Sequence, residues 1–359
     1  MLCYVGMKVL GIESSCDETA ASVVEDGIKL LSNVVASSMD LHVQYGGVVP
    51  EIAARSHIES ILPVIHQALA EAECTWDDID AIAVTYGAGL GGSLLVGVLT
   101  ARTLAITHNK PLYGINHVEA HVYANFLTDA SLPGYVLREK QPEFPMLAII
   151  VSGGHSQLAL FRNHFDYTLL GQTRDDAIGE AFDKVAKILG LPYPGGPSVG
   201  KKAVEGDPNR YKFPIAKLDD PYSYSFSGLK TAVLRLAQKE TGHDHTFPSM
   251  KLAEALSEAQ KADIAASFQY TAIKTIVAKA KQAWEEFAPA SVVIAGGVAA
   301  SPELRRQLSD AIPAPVEYPD MKLCTDNGAM VATLGCFKAL HKQPTADPYT
   351  LDIQPNLSM

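Results

Sequence analysis

The sequence is poor in anything that would pair its cysteines. It has five, Cys3, Cys16, Cys74, Cys324 and Cys336, an odd number with no C-x-x-C spacing among them. This argues against a disulfide framework and against a four-cysteine zinc site. It fits a reducing, cytoplasmic setting in which each thiol fills apolar space. The chain also lacks any uninterrupted apolar run near the ~18 residues that a membrane helix requires, so no membrane role is expected. Its opening stretch, MLCYVGMKVLGIESSCDE, carries Lys8 as its only positive charge and turns acidic at once, unlike a signal peptide. Positive charge is scarce throughout: 29 Lys and Arg against 40 Asp and Glu give a net charge of −11. A uniformly acidic surface repels nucleic acid, so an RNA partner requires a local basic patch or a helper subunit. Candidates for that patch are Lys201, Lys202, Arg210, Lys212, Lys217 and Lys230.

What is present is an ordinary globular mix, 359 residues with 47% hydrophobic and 19% charged, enough for two domains. One supersecondary pattern occurs twice. Met7–Ile12 reads as a buried strand, 14–19 as a polar turn, Ala20–Glu25 as a second strand, Asp26-Gly27 as a hairpin turn and Lys29–Ala36 as a third strand. From Met146 the order returns: strand Met146–Val151, turn Ser152-Gly153-Gly154-His155-Ser156, strand Gln157–Phe161, turn Arg162-Asn163, strand Tyr167–Gly171. Each copy ends in strand, glycine loop and helix. The first has Asp80–Thr85, GAGLGG and Ser93–Thr107. The second has Ser291–Ala295, Gly296-Gly297 and Pro302–Leu308, with Ser301 placed as an N-cap before proline.

Such a repeat is the pattern of the actin, sugar-kinase and acetate-kinase fold, an α/β architecture of two tandem actin-like (ASKHA, RNase H-like) lobes with a nucleotide cleft between them. The expected division is 1–127 for the first lobe, 128–145 for a linker, 146–342 for the second lobe and 343–359 for a loose tail. The alternative arrangement has the last helix of the second lobe packing back on the first. The segment Thr241–Met250 reads as a surface loop. Residues 1–6 have no place in the repeat, so Met7 is the alternative start and the extension is expected to be dispensable. In this fold glycine loops let backbone N–H groups approach an anion, and helix N-termini add favourable charge.

The sharpest local signal is His117-Val118-Glu119-Ala120-His121. Histidines at i and i+4 share one helical face, about 5–6 Å apart at Cβ, and two imidazoles so placed can share one metal. Asn116 before them is a plausible helix cap. Glu119 stands about 200° around the helix from the first histidine, so it points away from any metal, unlike the base of a zincin peptidase. Cys324-Thr325-Asp326-Asn327-Gly328 follows a strand-like segment and opens a helix, Ala329–His341. Asp326 there is either a third ligand or a helix cap. Two histidines and one carboxylate leave open positions and suit iron(II) or zinc.

Eight stretches in order, GIESSCDETAASVV, GGVVPEIAARSH, GINHVEAH, VSGGHSQL, DDAIGEAFDKVAKILGLPYPGGP, FSGLKTAV, IAGGVAA and CTDNGAM, span nearly the whole chain. They resemble the catalytic subunits of bacterial tRNA threonylcarbamoyladenosine synthases, formerly described as O-sialoglycoprotein endopeptidases. The resemblance implies an acyltransferase. It would move a threonylcarbamoyl group from threonylcarbamoyl-AMP to N6 of the adenosine 3′ of the anticodon, in tRNAs reading codons that begin with A. It implies His117, His121 and Asp326 as ligands of one divalent metal, Fe2+ first and Zn2+ second. It places Ile150, Val151, Ser152, Gly153 and Gly154 along the adenylate, with Asp183 and Gly196 at its adenosine part. A same-fold paralogue and a small ATPase are the implied partners besides tRNA. The family usually has Asn where this chain has Ser301, which puts that substrate contact in doubt and favours the cap. Asp17 or Glu18, in the first polar turn, are candidates to accept the N6 proton, with a turn or capping role as the alternative for Asp17. For Asp183 the alternative to a ribose contact is an i,i+4 ion pair with Lys187.

Three rival readings remain. A small-molecule kinase or ATPase of this fold would use Mg2+ on oxygen ligands, against which the histidine pair speaks. A non-catalytic paralogue would lack that pair. A peptidase is disfavoured by the position of Glu119.

Overall fold

The computed structural model describes residues 6–359; Cys3 and most of the short extension lie outside the described residues. The described residues form two compact units, one running to Pro142 together with Tyr318–Met359, the other Glu143–Glu317.

In the first unit the strands are β1 (Lys8–Glu13), β2 (Glu18–Glu25), β3 (Lys29–Leu30), β4 (Val34–Ser37), β5 (Ala81–Gly87), β6 (Leu112–Asn116) and β7 (Asp129–Ala130). Its helices are α1 (Met39–His42), α2 (Pro50–Glu71), α3 (Gly91–Thr107), α4 (His117–Tyr123) and, far along the chain, α11 (Gly328–Leu340). The sheet order is β6-β5-β1-β2-β3-β7, with β4 also beside β2. The second unit holds β8 (Met146–Val151), β9 (Ser156–Asn163), β10 (Asp166–Gln172), β11 (Ser291–Ala295) and β12 (Val316–Glu317) in the order β10-β9-β8-β11-β12. Its helices are α5 (Ile178–Leu189), α6 (Gly195–Ala203), α7 (Ser227–Glu240), α8 (Ser249–Ala255), α9 (Glu258–Phe287) and α10 (Pro302–Ala311).

The two sheets share one topology. In each, the first strand runs antiparallel to the second (β1 with β2, β8 with β9) and parallel to a later one (β1 with β5, β8 with β11). This is the repeat visible in the sequence. The third strand differs in the first unit. It breaks into β3 and β4 because the amides of Leu31 and Ser32 both reach the Val23 carbonyl, while Ser32 Oγ takes the Val23 amide, so the backbone between them leaves the ladder.

Strand β1 is apolar on both faces because both are covered. Leu10 and Ile12 point into a core with Ile61, Ile65 and Ala68 of α2 and Val98 and Ala101 of α3. Gly11, on the opposite face by the two-residue period, lies under α11. A Cβ on Gly11 would come within 2.3 Å of the Ala332 amide nitrogen, so only glycine permits this approach.

Several boundaries differ from the sequence reading. Residues 318–342, counted with the second lobe in the expected division, belong to the first unit, where α11 packs as the alternative for the last helix had it. Most of the expected linker does too: β7 pairs with β3, the Val136 amide donates to Asp320 (2.8 Å), and Lys322 Nζ donates to the Gly134 carbonyl (3.0 Å). The lead-in to Asp326 is a 3-10 turn, Met321–Leu323, where a strand was expected. Helix α5 starts three residues before Ala181, and the 241–250 loop ends in the first turn of α8.

The segment 343–359, expected as a loose tail, is docked. Arg102 on α3 donates to the carbonyls of Pro348 (2.6 Å), Leu351 (3.2 Å) and Tyr349 (2.6 Å). The Gln354 amide donates to Tyr86 O, Gly89 N–H to Pro355 O, and Asn116 Nδ2 to Ser358 O. Leu351 and Ile353 pack on the core of the unit. Charge-assisted bonds to one guanidinium are each worth about 1.5–3 kcal/mol when buried and less at a half-exposed site such as this. Arg102→Ala should therefore lower stability by about 1–2 kcal/mol and Tm by about 2–4 °C. Deleting 343–359 should cost more than this. A calorimetric Tm unchanged by the deletion would show that the tail is merely adjacent.

Candidate functional site

Strand β6 runs directly into α4, all seven residues of which are buried. Asn116 caps the helix, its Oδ1 accepting from the amides of Val118 (2.9 Å) and Glu119 (3.2 Å). His117 and His121 then stand one turn apart with ring centroids 4.7 Å from each other. Asp326 meets them from the turn before α11: its Oδ1 is 3.2 Å from His121 Nε2 and 3.6 Å from His117 Nε2. One ligand atom from each of the three lies within 4.8 Å of the others. Asp326 is not the helix cap. Asn327 is, its Oδ1 accepting from the Met330 amide at 3.0 Å. Asp326 is thereby left for the histidines.

The group fits a divalent metal by the chemistry of its donors. Both histidines are buried, and His121 Nε2 has no hydrogen-bond partner of acceptable geometry among the described residues, although Asp326 is close. Glu119, by contrast, turns away. Its charge is opposed by Lys338 of α11, whose Nζ donates to the Gly114 carbonyl (2.9 Å). Burial raises the Glu119 pKa and lowers that of Lys338.

Behind His117 lies Glu13, the last residue of β1 and completely buried. Its Oε1 accepts from the Ser15 amide (2.6 Å) and its Oε2 from Thr85 Oγ1 (2.6 Å). Oε2 is also 3.3 Å from His117 Nδ1, and Ser15 Oγ is 3.0 Å from the same nitrogen. Sequence reasoning missed Glu13, Ser15 and Thr85. The signal that could have found Glu13 is a carboxylate ending an apolar strand, where an unpaired charge would be costly.

The turn carrying Asp17 and Glu18 is held by its backbone. The Leu90 amide donates to Ser15 O (2.7 Å), and Ser38 N and Oγ both donate to Asp17 O. His57 Nε2 lies 3.0 Å from Cys16 O and its Nδ1 2.7 Å from Thr19 Oγ1. A carbonyl can only accept, so Nε2 carries the proton and Nδ1 accepts from the threonine hydroxyl. Glu18 begins β2 opposite Ser37. Burial first, then Asp326 and Asp17, push its pKa up to about 10, so Glu18 holds its proton at neutral pH while the site is metal-free. Burial lowers the His117 pKa, but Asp326 and Glu13 outweigh it and raise the value to about 9.

In the second unit three motifs converge. Ile150 and Val151 are buried strand residues in the ladder with Gln157, Ser156 and Ala295. The Ser152 amide is used by the turn itself, donating to His155 O (2.8 Å). Gly153 and Gly154 follow, each with nothing within 4 Å of where a Cβ would be. Helix α5 presses on this turn: a Cβ on Gly179 would sit 2.7 Å from the Ser152 carbonyl, and the Glu180 amide donates to Gly153 O (3.1 Å). Further along α5, Asp183 Oδ1 accepts from the Gly195 amide at 2.6 Å, at the start of α6. Burial raises the Asp183 pKa. No ion pair joins Asp183 to Lys187 among the described residues. Gly196, next in the turn, is open like Gly153 and Gly154. Ser301 caps α10, accepting from the Leu304 amide (3.4 Å). Of the basic candidates, Lys202 pairs with Glu205 and Glu258, and Lys230 lies 4.0 Å from Asp176.

The family model described as tRNA N6-adenosine threonylcarbamoyltransferase (TsaD) matches residues 29–333. A protein of that name from Thermomicrobium roseum is 48% identical over 98% of this chain and 97% of its own length. Another, from Symbiobacterium thermophilum, is 49% identical over 92% of this chain and 91% of its own. Among solved structures, full-length HypF in its phosphate- and nucleotide-bound form is similar with a TM-score of 0.56 and 13% identity, covering 96% of this chain and 47% of that one. The activator of 2-hydroxyisocaproyl-CoA dehydratase from Clostridium difficile has a TM-score of 0.50 and 15% identity, covering 97% and 100%. At such identities the likeness concerns the fold alone, which is the actin-like one of the repeat.

The raised pKa values of His117 and Glu18 act in one direction. In each case the folded, metal-free chain holds a proton that the unfolded chain gives up at lower pH. The resulting stabilisation is complete below the unfolded values and is lost as pH rises through about 9 for His117 and about 10 for Glu18. With a chelator present, Tm should fall from pH 6.5 to pH 9, and the fall should shrink in Glu18→Gln. A flat profile in the wild-type protein would contradict these assignments.

Proposed function

The chain belongs to the tRNA N6-adenosine threonylcarbamoyltransferase family, and from that premise we propose that it transfers the threonylcarbamoyl group of threonylcarbamoyl-AMP to N6 of the adenosine 3′ of the anticodon, in tRNAs reading codons that begin with A. The observation that carries the metal-dependent part of this reading is the buried His117–His121–Asp326 group. In the reaction N6 attacks the carbamoyl carbon, the bond from that carbon to the phosphate oxygen breaks, and AMP leaves with the electron pair. The acyl group arrives activated, so no serine or cysteine nucleophile is needed.

His117, His121 and Asp326 hold the metal, iron(II) by preference and zinc as the alternative, since two imidazoles and a carboxylate leave positions open. When bound, it supplies Lewis-acid polarisation of a substrate oxygen. Asp17 or Glu18, adjacent at the start of β2, accepts the N6 proton. For the adenylate, the support favours Gly153 and Gly154 as the amides that meet the phosphate. Ile150 and Val151 are committed to the sheet, and Ser152 to its own turn. At Gly153 and Gly154 a Cβ would meet nothing within 4 Å and no unusual φ is required, which leaves room for a ligand's approach, and Gly196 has the same character. Asp183 contacts the ribose while also holding the start of α6. Ser301 acts as a cap.

The reading carries tRNA as substrate, and a same-fold paralogue and a small ATPase as partners in the cytoplasm. Exposed Ile58 and Leu62 on α2, with Leu95 and Leu99 on α3, give the paralogue an apolar face to cover. No helix of the described residues is long and apolar enough to cross a membrane.

The protein, its partners, threonylcarbamoyl-AMP and unmodified tRNA, incubated together, should yield threonylcarbamoyladenosine by mass spectrometry of the nucleosides. Absence of product with a metal-loaded protein would overturn the reading. Purified protein should carry roughly one metal per subunit, and the double substitution His117→Ala, His121→Ala should empty the site. Asp183→Ala should weaken a non-hydrolysable adenylate analogue by about tenfold or more. It should also lower Tm by a few degrees, because the Gly195 amide loses its acceptor. Equal analogue affinities in calorimetry would remove Asp183 from the ligand.

A further inference from the structure

We propose that Glu13 is the positioning carboxylate of the metal centre, fixing which nitrogen of His117 is offered to the metal; the inference rests on the metal reading of His117, His121 and Asp326. An imidazole binds a metal through an unprotonated nitrogen, so its proton must sit on the other one. For His117 the nitrogen nearest Asp326 is Nε2. Nδ1 faces two oxygens, Glu13 Oε2 at 3.3 Å and Ser15 Oγ at 3.0 Å. A carboxylate can only accept, and Glu13 already accepts from the Ser15 amide and the Thr85 hydroxyl. Nδ1 therefore keeps its proton in the metal-binding form, and Nε2 is the nitrogen that gives up its proton and offers a lone pair on the side of Asp326 and His121.

Glu13 is itself fixed. It is fully buried, ends a strand held on both sides by β2 and β5, and has both oxygens engaged. The ring of His117 thus has a set direction as well as a set tautomer. His121 has no such support: its Nδ1 is buried without a hydrogen-bond partner among the described residues. The two histidines are inequivalent, and the orientation of the centre is carried by the β1–β5 pair through Glu13 and Thr85.

The substitution Glu13→Gln keeps the shape and reverses one polarity. A carboxamide has one accepting oxygen and one donating nitrogen. If the nitrogen takes the place of Oε1, it confronts the Ser15 N–H, donor against donor. If it takes the place of Oε2, the Thr85 hydroxyl can turn round, but His117 Nδ1 must become an acceptor, which moves the ring proton onto Nε2. The first arrangement leaves Nδ1 a neutral oxygen, a weaker acceptor than the carboxylate, and the second removes its acceptor, so each weakens metal binding. Outer carboxylates on metal-bound histidines are typically worth about 10–100-fold in affinity.

Two measurements test this with Zn2+ as the probe. In the Zn2+-loaded wild type, long-range 1H–15N spectra should show His117 bound through Nε2 with a slowly exchanging proton on Nδ1. Metal on Nδ1 would overturn the inference, and this arm does not depend on any variant folding. In competition with a chromophoric chelator, Glu13→Gln should bind Zn2+ about 10–100-fold more weakly than wild type, and Thr85→Val should show a smaller loss. A role in folding alone would lower Tm and leave affinity unchanged, and that result would also overturn the proposal. Wild-type protein that binds no Zn2+ would remove the metal reading and this inference with it. Tight wild-type binding matched by Glu13→Gln would remove this inference only.

Discussion

The close approach of α11 to β1 is the constraint on which the candidate metal centre depends. Asp326 and His117 are far apart in the chain and belong to different halves of the sequence repeat. They meet because Gly11 offers no side chain, so the backbone of Ala332 can lie almost on the strand. This packing places the turn before α11 beside the end of β6, where α4 begins. Asn327 caps α11 and Asn116 caps α4, so each ligand-bearing segment is tied at the residue next to its ligand. A side chain on Gly11 would have to push α11 outward, and Asp326 would move with it.

The same strand supplies the carboxylate behind the first histidine. A fully buried Glu13 is tolerable because three donors surround it, and a buried charge without them would cost several kcal/mol. The middle of β1 and its end thus differ in kind: apolar residues anchor the middle between two helical layers, and the last residue is polar and fixed. Strand position, rather than loop geometry, sets the histidine. Sites built on strands and helices hold their geometry better than sites on loops, and here the loop that follows, 14–18, is pinned as well by Leu90, Ser38 and His57.

How much of this was legible in the sequence follows from the range of each interaction. The repeated strand order, the Asn116 and Ser301 caps and the His-x-x-x-His face are local patterns, read within a few residues, and the structure contains all of them. The break between β3 and β4 is local too, but it turns on Ser32 Oγ taking a ladder amide, which hydrophobic periodicity does not register. The tail's placement was not legible, and that of 318–342 only as an alternative, because both are settled at long range. Helix α11 reads equally well as the end of either lobe until Gly11 is matched to Ala332. The tail is held through its carbonyls by Arg102, and backbone acceptors leave no mark in a sequence. Glu13 lay in plain view within GIESS, but its role depends on Thr85 and His117, neither of which is near it in the chain.

In the second unit the glycines divide by what surrounds them. Gly179 and Gly195 are crowded by backbone: a Cβ on either would collide with the 152–153 turn or with Asp183. They let α5 and α6 close on one another, which is a packing role. A Cβ on Gly153, Gly154, Gly196 or Gly228 would meet nothing within 4 Å, and none of the four has a positive φ, so neither crowding nor backbone conformation accounts for the absence of a side chain. Asp183 bridges the two classes. One of its oxygens holds the Gly195 amide, beside the open Gly196, so the carboxylate that would meet a ribose is also the one that keeps the neighbouring turn in place. On the proposed reading binding and stability are coupled at that residue, whereas a side chain at Gly153, Gly154 or Gly196 would collide with nothing in the protein.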